Sequence, residues 1–179
     1  RPRTDRGGGM SGDRKPHFRF NPNAYDANRV FEQSQVICDV CARECVWKYT
    51  GSIYTPSKPT VCASCIADGR LERFLGAENY SFHDTEAEGA EEDALGELLL
   101  RTPGVTCFNP FDWPVLNGIP MAFILYGDEE SDLWKDPKVR AEVDKEYGDW
   151  PWDGNKPGSY VLLFKPVGGD EYRVVIDPD

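Results

Sequence analysis

The sequence predicts an α+β fold, a small mixed domain with a four-cysteine element near its N-terminus. Three observations support this prediction. Two Cys-x-x-Cys pairs lie close together, at residues 38–41 and 62–65. The apolar stretches are short and are bounded by turn residues, which is typical of short strands and helices. Seventeen glycines and fourteen prolines among 179 residues also imply many turns, so long helices should not dominate.

Three elements are predicted before residue 130. Residues 46–49 and 52–54 are rich in β-branched and aromatic side chains and flank Gly51, which predicts a β-hairpin. A short helical pattern begins at Asp93 and ends before Pro103-Gly104. The run at residues 119–126 is apolar, short and bounded by turn residues, so it is predicted to be a buried strand.

One helix and one hairpin are predicted in the rest of the chain. Asp136 and Pro137 favour a helix start, and Gly148 favours a stop, so we expect a helix over Pro137–Tyr147. Residues 160–165 and 172–176 read as strands on either side of Gly168-Gly169, which predicts a final hairpin.

The two cysteine pairs predict a metal site. Cys38 and Cys41 form the first pair, Cys62 and Cys65 form the second, and twenty residues separate them. Each pair places two thiolates on one tight turn, and a hairpin between the pairs would bring the turns together. The resulting tetrahedral four-sulfur shell is the usual geometry of structural Zn²⁺ and leaves no position open for water or substrate. The sequence therefore predicts a structural zinc ion in a zinc-ribbon-like element.

Other interpretations of these cysteines compete with zinc. Disulfides are disfavoured in a reducing compartment, and two pairs at this spacing favour a metal over a redox pair or four buried apolar cysteines. Cys45 lies four residues after Cys41 and competes as a ligand, although a place in the core at the start of the hairpin is expected. Cys107 is alone, which is more typical of a small buried hydrophobe than of a nucleophile. His17 and His83 have no partner at catalytic or ligand spacing.

The charge of the chain restricts its partners. Thirty-one acidic and twenty basic side chains give a formal net charge of −11. This charge argues against binding to nucleic acid or to an anionic membrane surface. It suits a basic protein partner, although solubility alone also accounts for it. The longest apolar run, residues 121–126, is too short to span a membrane, and no apolar signal-peptide region is visible, so a cytoplasmic protein is expected.

Several segments resemble the CbrC family of bacterial proteins. The most specific are Cys-Ile-Ala-Asp-Gly at residues 65–69 and Arg-Thr-Pro-Gly at residues 101–104, the latter followed by Trp113. The resemblance covers most of the chain from Phe18 onward. The other segments that follow the order of the family are residues 18–22, 36–41, 49–54, 62–64, 159–165 and 173–177.

The resemblance carries implications for function and for a second metal site. The founding member of the family is linked to tolerance of a nuclease-type colicin, which implies a bacterial stress, toxin-tolerance or immunity role. Family members carry a His-Cys pair after the mid-chain Trp, where this chain has Leu116-Asn117. They also carry a Cys-x-x-Cys between the last two strands, where this chain has residues 166–169, Pro-Val-Gly-Gly. A second metal-like cluster is therefore expected to be absent.

The resemblance and the composition together predict the domain organisation. Residues 1–16 are basic and glycine-rich and are predicted to be a disordered leader or a tag. Residues 17–179 are predicted to form a single CbrC-like domain, with the zinc-binding element at residues 36–69.

The predicted function is non-enzymatic and depends on protein binding. No nucleophile elbow, His-Glu-x-x-His motif or phosphate loop occurs in the sequence. Residues 84–97 hold seven acidic and no basic side chains, and residues 128–153 hold ten acidic and four basic ones. The segments from Asp84 to Glu97 and from Asp128 to Trp152, the latter with Trp150, are predicted to help form an acidic, aromatic face that binds a basic protein, such as a toxin domain. The alternative is an enzyme with an unrecognised active site.

Overall fold

The computed structural model describes residues 15–76, 78–158 and 160–177. Of the predicted leader at residues 1–16, all but Lys15 and Pro16 lie outside the described residues. Short strands and helices are mixed along the chain, which confirms the α+β class. The strands are β1 (Phe31–Ile37), β2 (Glu44–Tyr49), β3 (Thr85–Glu86), β4 (Phe111–Asp112), β5 (Val115–Leu116), β6 (Ile119–Pro120), β7 (Ala122–Tyr126), β8 (Val161–Lys165) and β9 (Arg173–Ile176). The α-helices are α1 (Ala63–Ala67), α2 (Arg70–Leu75), α3 (Glu92–Arg101) and α4 (Pro137–Tyr147), and a 3₁₀ turn covers Asp132–Lys135.

The first hairpin is not the predicted one. Strand β2 pairs antiparallel with β1, which precedes the first cysteine pair, and not with residues 52–54. The prediction around Gly51 was wrong because residues 52–54 are too few for a ladder and prolines follow at positions 56 and 59, which lack the N–H that a strand needs. Tyr54 instead forms an isolated bridge to Ser81.

The predicted apolar strand at residues 119–126 is divided into two. Its first part is β6, which pairs antiparallel with β5, and its second part is β7, which pairs antiparallel with β8. Met121 lies between them and donates its N–H to the carbonyl of Pro114. The break occurs beside Pro120, which cannot donate to a ladder on the same strand.

The helix and hairpin predicted near the C-terminus are confirmed. Helix α4 spans Pro137–Tyr147, the Asp136 carboxylate accepts the N–H of Lys138 at the N-cap, and Gly148 ends the helix with φ 55. Strands β8 and β9 pair antiparallel. The predicted helix after Asp93 is also present, as α3.

The three-stranded sheet β7-β8-β9 separates two apolar cores. Leu162 and Phe164 of β8 pack in one core with Trp113 and Phe123, while the alternate residues of β8 pack in the other core under α4. This alternation is the two-residue period of a strand that is buried on both faces. A third core, built on the β1–β2 hairpin and α1, contains Phe18, Phe31, Tyr49, Ile66, Leu71 and Phe82.

One buried arginine joins the hairpin core to the three-stranded sheet. Arg29 donates to both carboxylate oxygens of Glu129, at 2.9 and 2.6 Å, and to the carbonyl of Ile124 at 3.0 Å. Its guanidinium carbon lies 4.8 Å from the ring centroid of Phe123 and 4.8 Å from that of Tyr126. The Arg29 side chain is only 5% exposed, so this contact is internal to the fold.

None of the helices in the described ranges has the length and apolarity that crossing a membrane requires.

Candidate metal centre

The first cysteine pair occupies the turn of the β1–β2 hairpin. Cys38 follows β1 directly, and its N–H donates to the carbonyl of Arg43 at 2.9 Å. The carbonyl of Cys38 accepts the N–H of Ala42 at 2.8 Å, and Ala42 adopts a φ of 54. The chain therefore folds back tightly over Cys41, and both thiols of the pair lie at the tip of the hairpin.

The second pair lies at the start of α1 and is attached to the first by backbone contacts. Cys62 is the N-cap residue of α1, and Cys65 lies in its first turn. A β-bridge joins Cys62 to Lys48 of strand β2. Asp39 and Thr60 exchange two contacts: the N–H of Asp39 donates to the carbonyl of Thr60 at 2.8 Å, and the Asp39 carboxylate accepts the N–H of Thr60 at 2.6 Å. These contacts place the two pairs side by side, a role that the sequence analysis gave to a hairpin between them.

The four thiols form a compact group. The sulfur atoms of Cys38, Cys41, Cys62 and Cys65 all lie within 4.8 Å of one another, which confirms the predicted cluster. The sulfurs of Cys38 and Cys65 are 3.8 Å apart. Zn–S bonds of about 2.3 Å in a tetrahedron separate the ligand sulfurs by roughly 3.8 Å. A disulfide would need about 2.05 Å, and all four cysteines are free. The donor set and its spacing therefore fit a tetrahedral metal ion.

Hydrogen bonds differentiate the four thiols. The pKa of Cys38 is lowered because the thiols of Cys62 and Cys65 donate to its sulfur, and the amides of Cys41 and Cys62 also contribute. Donation to Cys38 raises the pKa of Cys62 to about 12, and it raises the pKa of Cys65 as well. These hydrogen bonds therefore favour the charged form of Cys38 and the neutral forms of Cys62 and Cys65. A cation that replaces their protons would find its ligands already assembled.

A nearby guanidinium would offset part of the charge of a metal-loaded site. A divalent ion with four thiolates carries two net negative charges. Burial alone would lower the pKa of Arg70, but the sulfurs of Cys65 and Cys41 and the carboxylate of Asp68 raise it. Arg70 Nε donates to Asp68 Oδ2 at 2.7 Å, which holds the guanidinium near the cysteines.

The two remaining cysteines lie outside the group of four. Cys45 is in β2, is 2% exposed and pairs across the hairpin with Val36. Burial, followed by the proximity of Cys38 and Cys41, raises the pKa of the Cys45 thiol. Cys107 is half-buried, and burial together with the carboxylates of Asp177 and Asp84 raises its pKa. Both side chains are therefore neutral thiols at pH 7.

Neither histidine joins the cluster. His17 is exposed. His83 is buried with its ring edge-on to Trp113, at a centroid distance of 4.9 Å, and its Nε2 lies 3.2 Å from the carbonyl oxygen of Thr102. Burial lowers the pKa of His83 to about 4, so the side chain is neutral at pH 7 and part of the core.

The four tryptophans after residue 100 differ in exposure. Trp113 and Trp134 are core residues whose indole N–H groups donate to the carbonyls of Met121 and Glu129. Trp150 is 62% exposed. The indole of Trp152 donates to Asp144. Of the four, only Trp150 and Trp152 offer surface to a partner.

Several of the acidic residues in the predicted face have internal partners. Glu97 accepts two hydrogen bonds from Arg19, at 2.9 and 2.7 Å, and Glu129 accepts two from Arg29. A cleft of about 670 Å³ opens beside the 3₁₀ turn, but its walls carry the ion pairs Lys135–Asp132 and Lys156–Glu130. Much of the charge in this region is therefore already paired within the protein.

The Arg-Thr-Pro-Gly segment has a structural place that sequence reasoning did not assign. The side-chain amide of Asn21 donates to the carbonyl of Pro103 at 3.1 Å, and the N–H of Gly104 donates to the Tyr49 hydroxyl at 3.0 Å. Three segments of the CbrC resemblance thus meet at one buried junction. The resemblance was the signal, but it could not show that these residues contact one another.

Comparison with known proteins places the chain in a family. Residues 15–171 match the model of an uncharacterised protein family, UPF0167. UPF0167 protein Mb2317 of Mycobacterium bovis and UPF0167 protein MT2352 of Mycobacterium tuberculosis are each 26% identical over 157 residues, which cover 86% of this chain and 82% of theirs. UPF0167 protein PA1536 of Pseudomonas aeruginosa is 30% identical over 103 residues, which cover 56% of this chain and 57% of its own. No solved structure matches the chain. The family model covers most of the chain, so the protein belongs to the UPF0167 family.

Proposed function

We propose that the protein binds one structural Zn²⁺ through Cys38, Cys41, Cys62 and Cys65 and acts, without catalysis, by binding another protein. One observation carries the zinc assignment: four sulfur donors converge within 4.8 Å of one another, and two of them are 3.8 Å apart. Four protein ligands fill the shell of a tetrahedral ion, so no position is left for water or substrate. An all-sulfur tetrahedral site suits zinc or iron. Zinc has no redox chemistry and fits a role in holding the two cysteine pairs together.

The partner that we propose is a basic protein. The chain has a formal net charge of −11, and the exposed Trp150 lies in a segment rich in carboxylates. An exposed aromatic side chain within a negative field can anchor a partner that the field has attracted. A basic toxin domain is one such partner, in line with the tolerance or immunity role that the CbrC resemblance implies. A reducing cytoplasm would keep the four thiols available for the metal.

The metal assignment is tested by elemental analysis of purified protein. We expect about one zinc per chain in the parent, loss of zinc in Cys41→Ser, and full occupancy in Cys45→Ala, which is the matched control. Iron in place of zinc, or zinc near zero or two per chain, would contradict the assignment. Loss of zinc in Cys45→Ala with retention in Cys38→Ala would show that a different set of four sulfurs binds the ion.

The binding role is tested separately. Proteins captured from a bacterial lysate by the zinc-loaded chain are purified, and each association rate is measured at low and high salt. We expect a basic partner whose association slows steeply as salt is added. Capture of acidic proteins only, or rates that do not depend on salt, would contradict the proposal.

A further inference from the structure

Two aromatic rings, those of Tyr25 and Trp47, meet beside the β1–β2 hairpin, and the angle between them is called the aromatic cleft. Trp47 of β2 meets Tyr25 edge to face, with ring centroids 5.1 Å apart and an interplanar angle of 75°. Tyr25 stacks on Phe31 of β1, at 4.7 Å and 19°. Both Tyr25 and Trp47 are half-buried. Their orientation is therefore fixed by ring packing within the hairpin core.

A lysine from the N-terminal segment occupies this cleft. Lys15 Nζ lies 4.4 Å from the ring centroid of Trp47 and 5.1 Å from that of Tyr25. Among residues 15–76, 78–158 and 160–177, no carboxylate forms an ion pair with Lys15. The described contacts that hold the ammonium are therefore those to the two ring faces, in a chain with 31 acidic side chains. This is the geometry of a cation–π site.

A hydrogen bond also attaches the segment that carries Lys15 to the cleft. The Tyr25 hydroxyl donates to the carbonyl of Pro16 at 2.8 Å. The rings belong to the hairpin core, whereas their cation comes from the preceding segment. Because the ring packing does not involve Lys15, the cleft should persist when its ammonium is removed.

We propose that Tyr25 and Trp47 form a binding cleft for an alkylammonium cation, namely a lysine or Nε-methylated lysine side chain of a protein partner. Lys15 is then an internal competitor that fills the cleft until the partner displaces it. The identity of the ligand as a protein side chain rests on the proposed function. The affinity of the cleft for an ammonium cation does not rest on the proposed function, because it can be measured with a small ammonium compound and no protein partner.

The experiment follows the indole N–H signal of Trp47 by two-dimensional NMR, with the signal assigned from its loss in Trp47→Phe. Lys15→Ala protein and the parent are titrated with Nε-trimethyl-lysine amide and with its uncharged isostere, in which carbon replaces the nitrogen. In Lys15→Ala we expect saturable binding that is tighter than in the parent. We also expect the cation to bind more tightly than the isostere, by roughly 2- to 30-fold.

Variants at Tyr25 distinguish the contribution of its ring to cation binding from that of its hydroxyl group. Tyr25→Phe keeps the ring face but loses the bond to Pro16, so in an otherwise parent chain it should bind the cation at least as tightly as the parent. Tyr25→Leu removes the face and should weaken binding in the Lys15→Ala background. Phe108→Leu, which removes an exposed aromatic ring elsewhere, should leave the affinity unchanged.

Three outcomes would overturn the proposal: no saturable shift in Lys15→Ala, equal affinity for the cation and its isostere, or equal affinity in Tyr25→Leu and Tyr25→Phe when both are made in the Lys15→Ala background. These outcomes are distinct from failure of the proposed function. If the small cation binds but no basic partner is captured, only the protein-binding role is contradicted. If a basic partner binds Tyr25→Leu in the Lys15→Ala background as tightly as it binds Lys15→Ala alone, that role stands and a partner lysine does not use the cleft.

Discussion

Replacement of Arg29 by methionine tests whether the buried ion pair holds the hairpin core to the three-stranded sheet. Methionine keeps much of the volume of the arginine stem but removes the charge and its donors. The substitution breaks two hydrogen bonds to Glu129 and one to the carbonyl of Ile124, along with contacts to two aromatic rings. Because the Arg29 side chain is 5% exposed, water cannot easily replace these partners.

The expected loss of stability follows from the exposure of the two partners. Removing one partner of a fully buried ion pair costs about 3–5 kcal/mol. Glu129 is 31% exposed and keeps the N–H of Tyr126 as a donor, so part of that cost is relieved by solvent and by this bond. We therefore expect a loss of roughly 2–4 kcal/mol in the free energy of unfolding. With a urea m-value of about 2 kcal/mol/M, the midpoint should fall by about 1–2 M.

Arg19 supplies a matched control for this prediction. Arg19 also makes two hydrogen bonds to one carboxylate, that of Glu97, but its side chain is 37% exposed. An exposed pair contributes about 0–1 kcal/mol, so Arg19→Met should shift the midpoint little. Both variants are compared with the parent by urea unfolding, followed by circular dichroism. Equal shifts of the urea midpoint in Arg29→Met and Arg19→Met would refute the role of Arg29 in holding the hairpin core to the three-stranded sheet.

Three further predictions concern glycines, a histidine and the acidic surface. Gly104→Ala should destabilise the fold by about 1–3 kcal/mol in the same urea assay, because the new Cβ would lie 2.9 Å from the backbone carbonyl of Phe82. Gly96→Ala in α3 should stabilise the fold by about 0.5–1 kcal/mol, because the new Cβ would have no atom within 4 Å. The pKa of His83 is about 4 in the folded protein and about 6.5 in the unfolded chain, so between these values the imidazole is protonated only when the chain is unfolded. The free energy of unfolding should therefore fall as the pH is lowered from 6.5 to 4, by up to about 3 kcal/mol. His83→Leu should reduce the difference between urea midpoints at pH 7 and pH 4.5, and an unchanged difference would contradict the assignment. Neutralising Glu91, Glu92 and Asp128 should slow association with a basic partner at low salt, and an unchanged rate would remove this face from consideration. Glu129 is left out of that variant because it pairs with Arg29.

The sequence predicted local features better than long-range ones. Helix α4 was predicted with its bounds because both signals lie next to the helix in the sequence. Asp136 directly precedes it and Gly148 directly follows it. The hairpin around Gly51 was wrong because the composition of residues 46–49 shows that they form a strand but does not show their partner. The partner β1 lies before the cysteine turn. Exposed and buried positions alternate only weakly along β1, so its sequence gives a weak strand signal. Strand pairing depends on contacts between distant residues, which the composition of a short segment does not show.

The cysteine cluster was predictable, whereas its setting was not. Thiols at Cys-x-x-Cys spacing converge for local reasons, so Cys38, Cys41, Cys62 and Cys65 could be named from the sequence. The contacts that bring the two pairs together come from Asp39 with Thr60 and from a bridge to β2. The ion pairs of Glu97 and Glu129 were missed for the same reason: charge counts along the chain do not show which carboxylates face an arginine 78 or 100 residues away.

Strand β2 connects the cysteine cluster, the aromatic cleft and the buried junction. Cys45, Trp47 and Tyr49 alternate along it, so their side chains lie on the same face. The cysteine turn lies at the start of the strand, and the Tyr49 hydroxyl, at its end, accepts the N–H of Gly104 and donates to the carbonyl of Ser52. Tyr49 thus has contacts that do not depend on the cysteines, whereas Trp47 lies between the cysteine turn and Lys48, which is bridged to Cys62. Removal of the proposed zinc ion should therefore loosen the start of β2 and the cleft first and leave the junction at Tyr49 in place, and the affinity of the cleft for an ammonium ion should fall before the cores unfold.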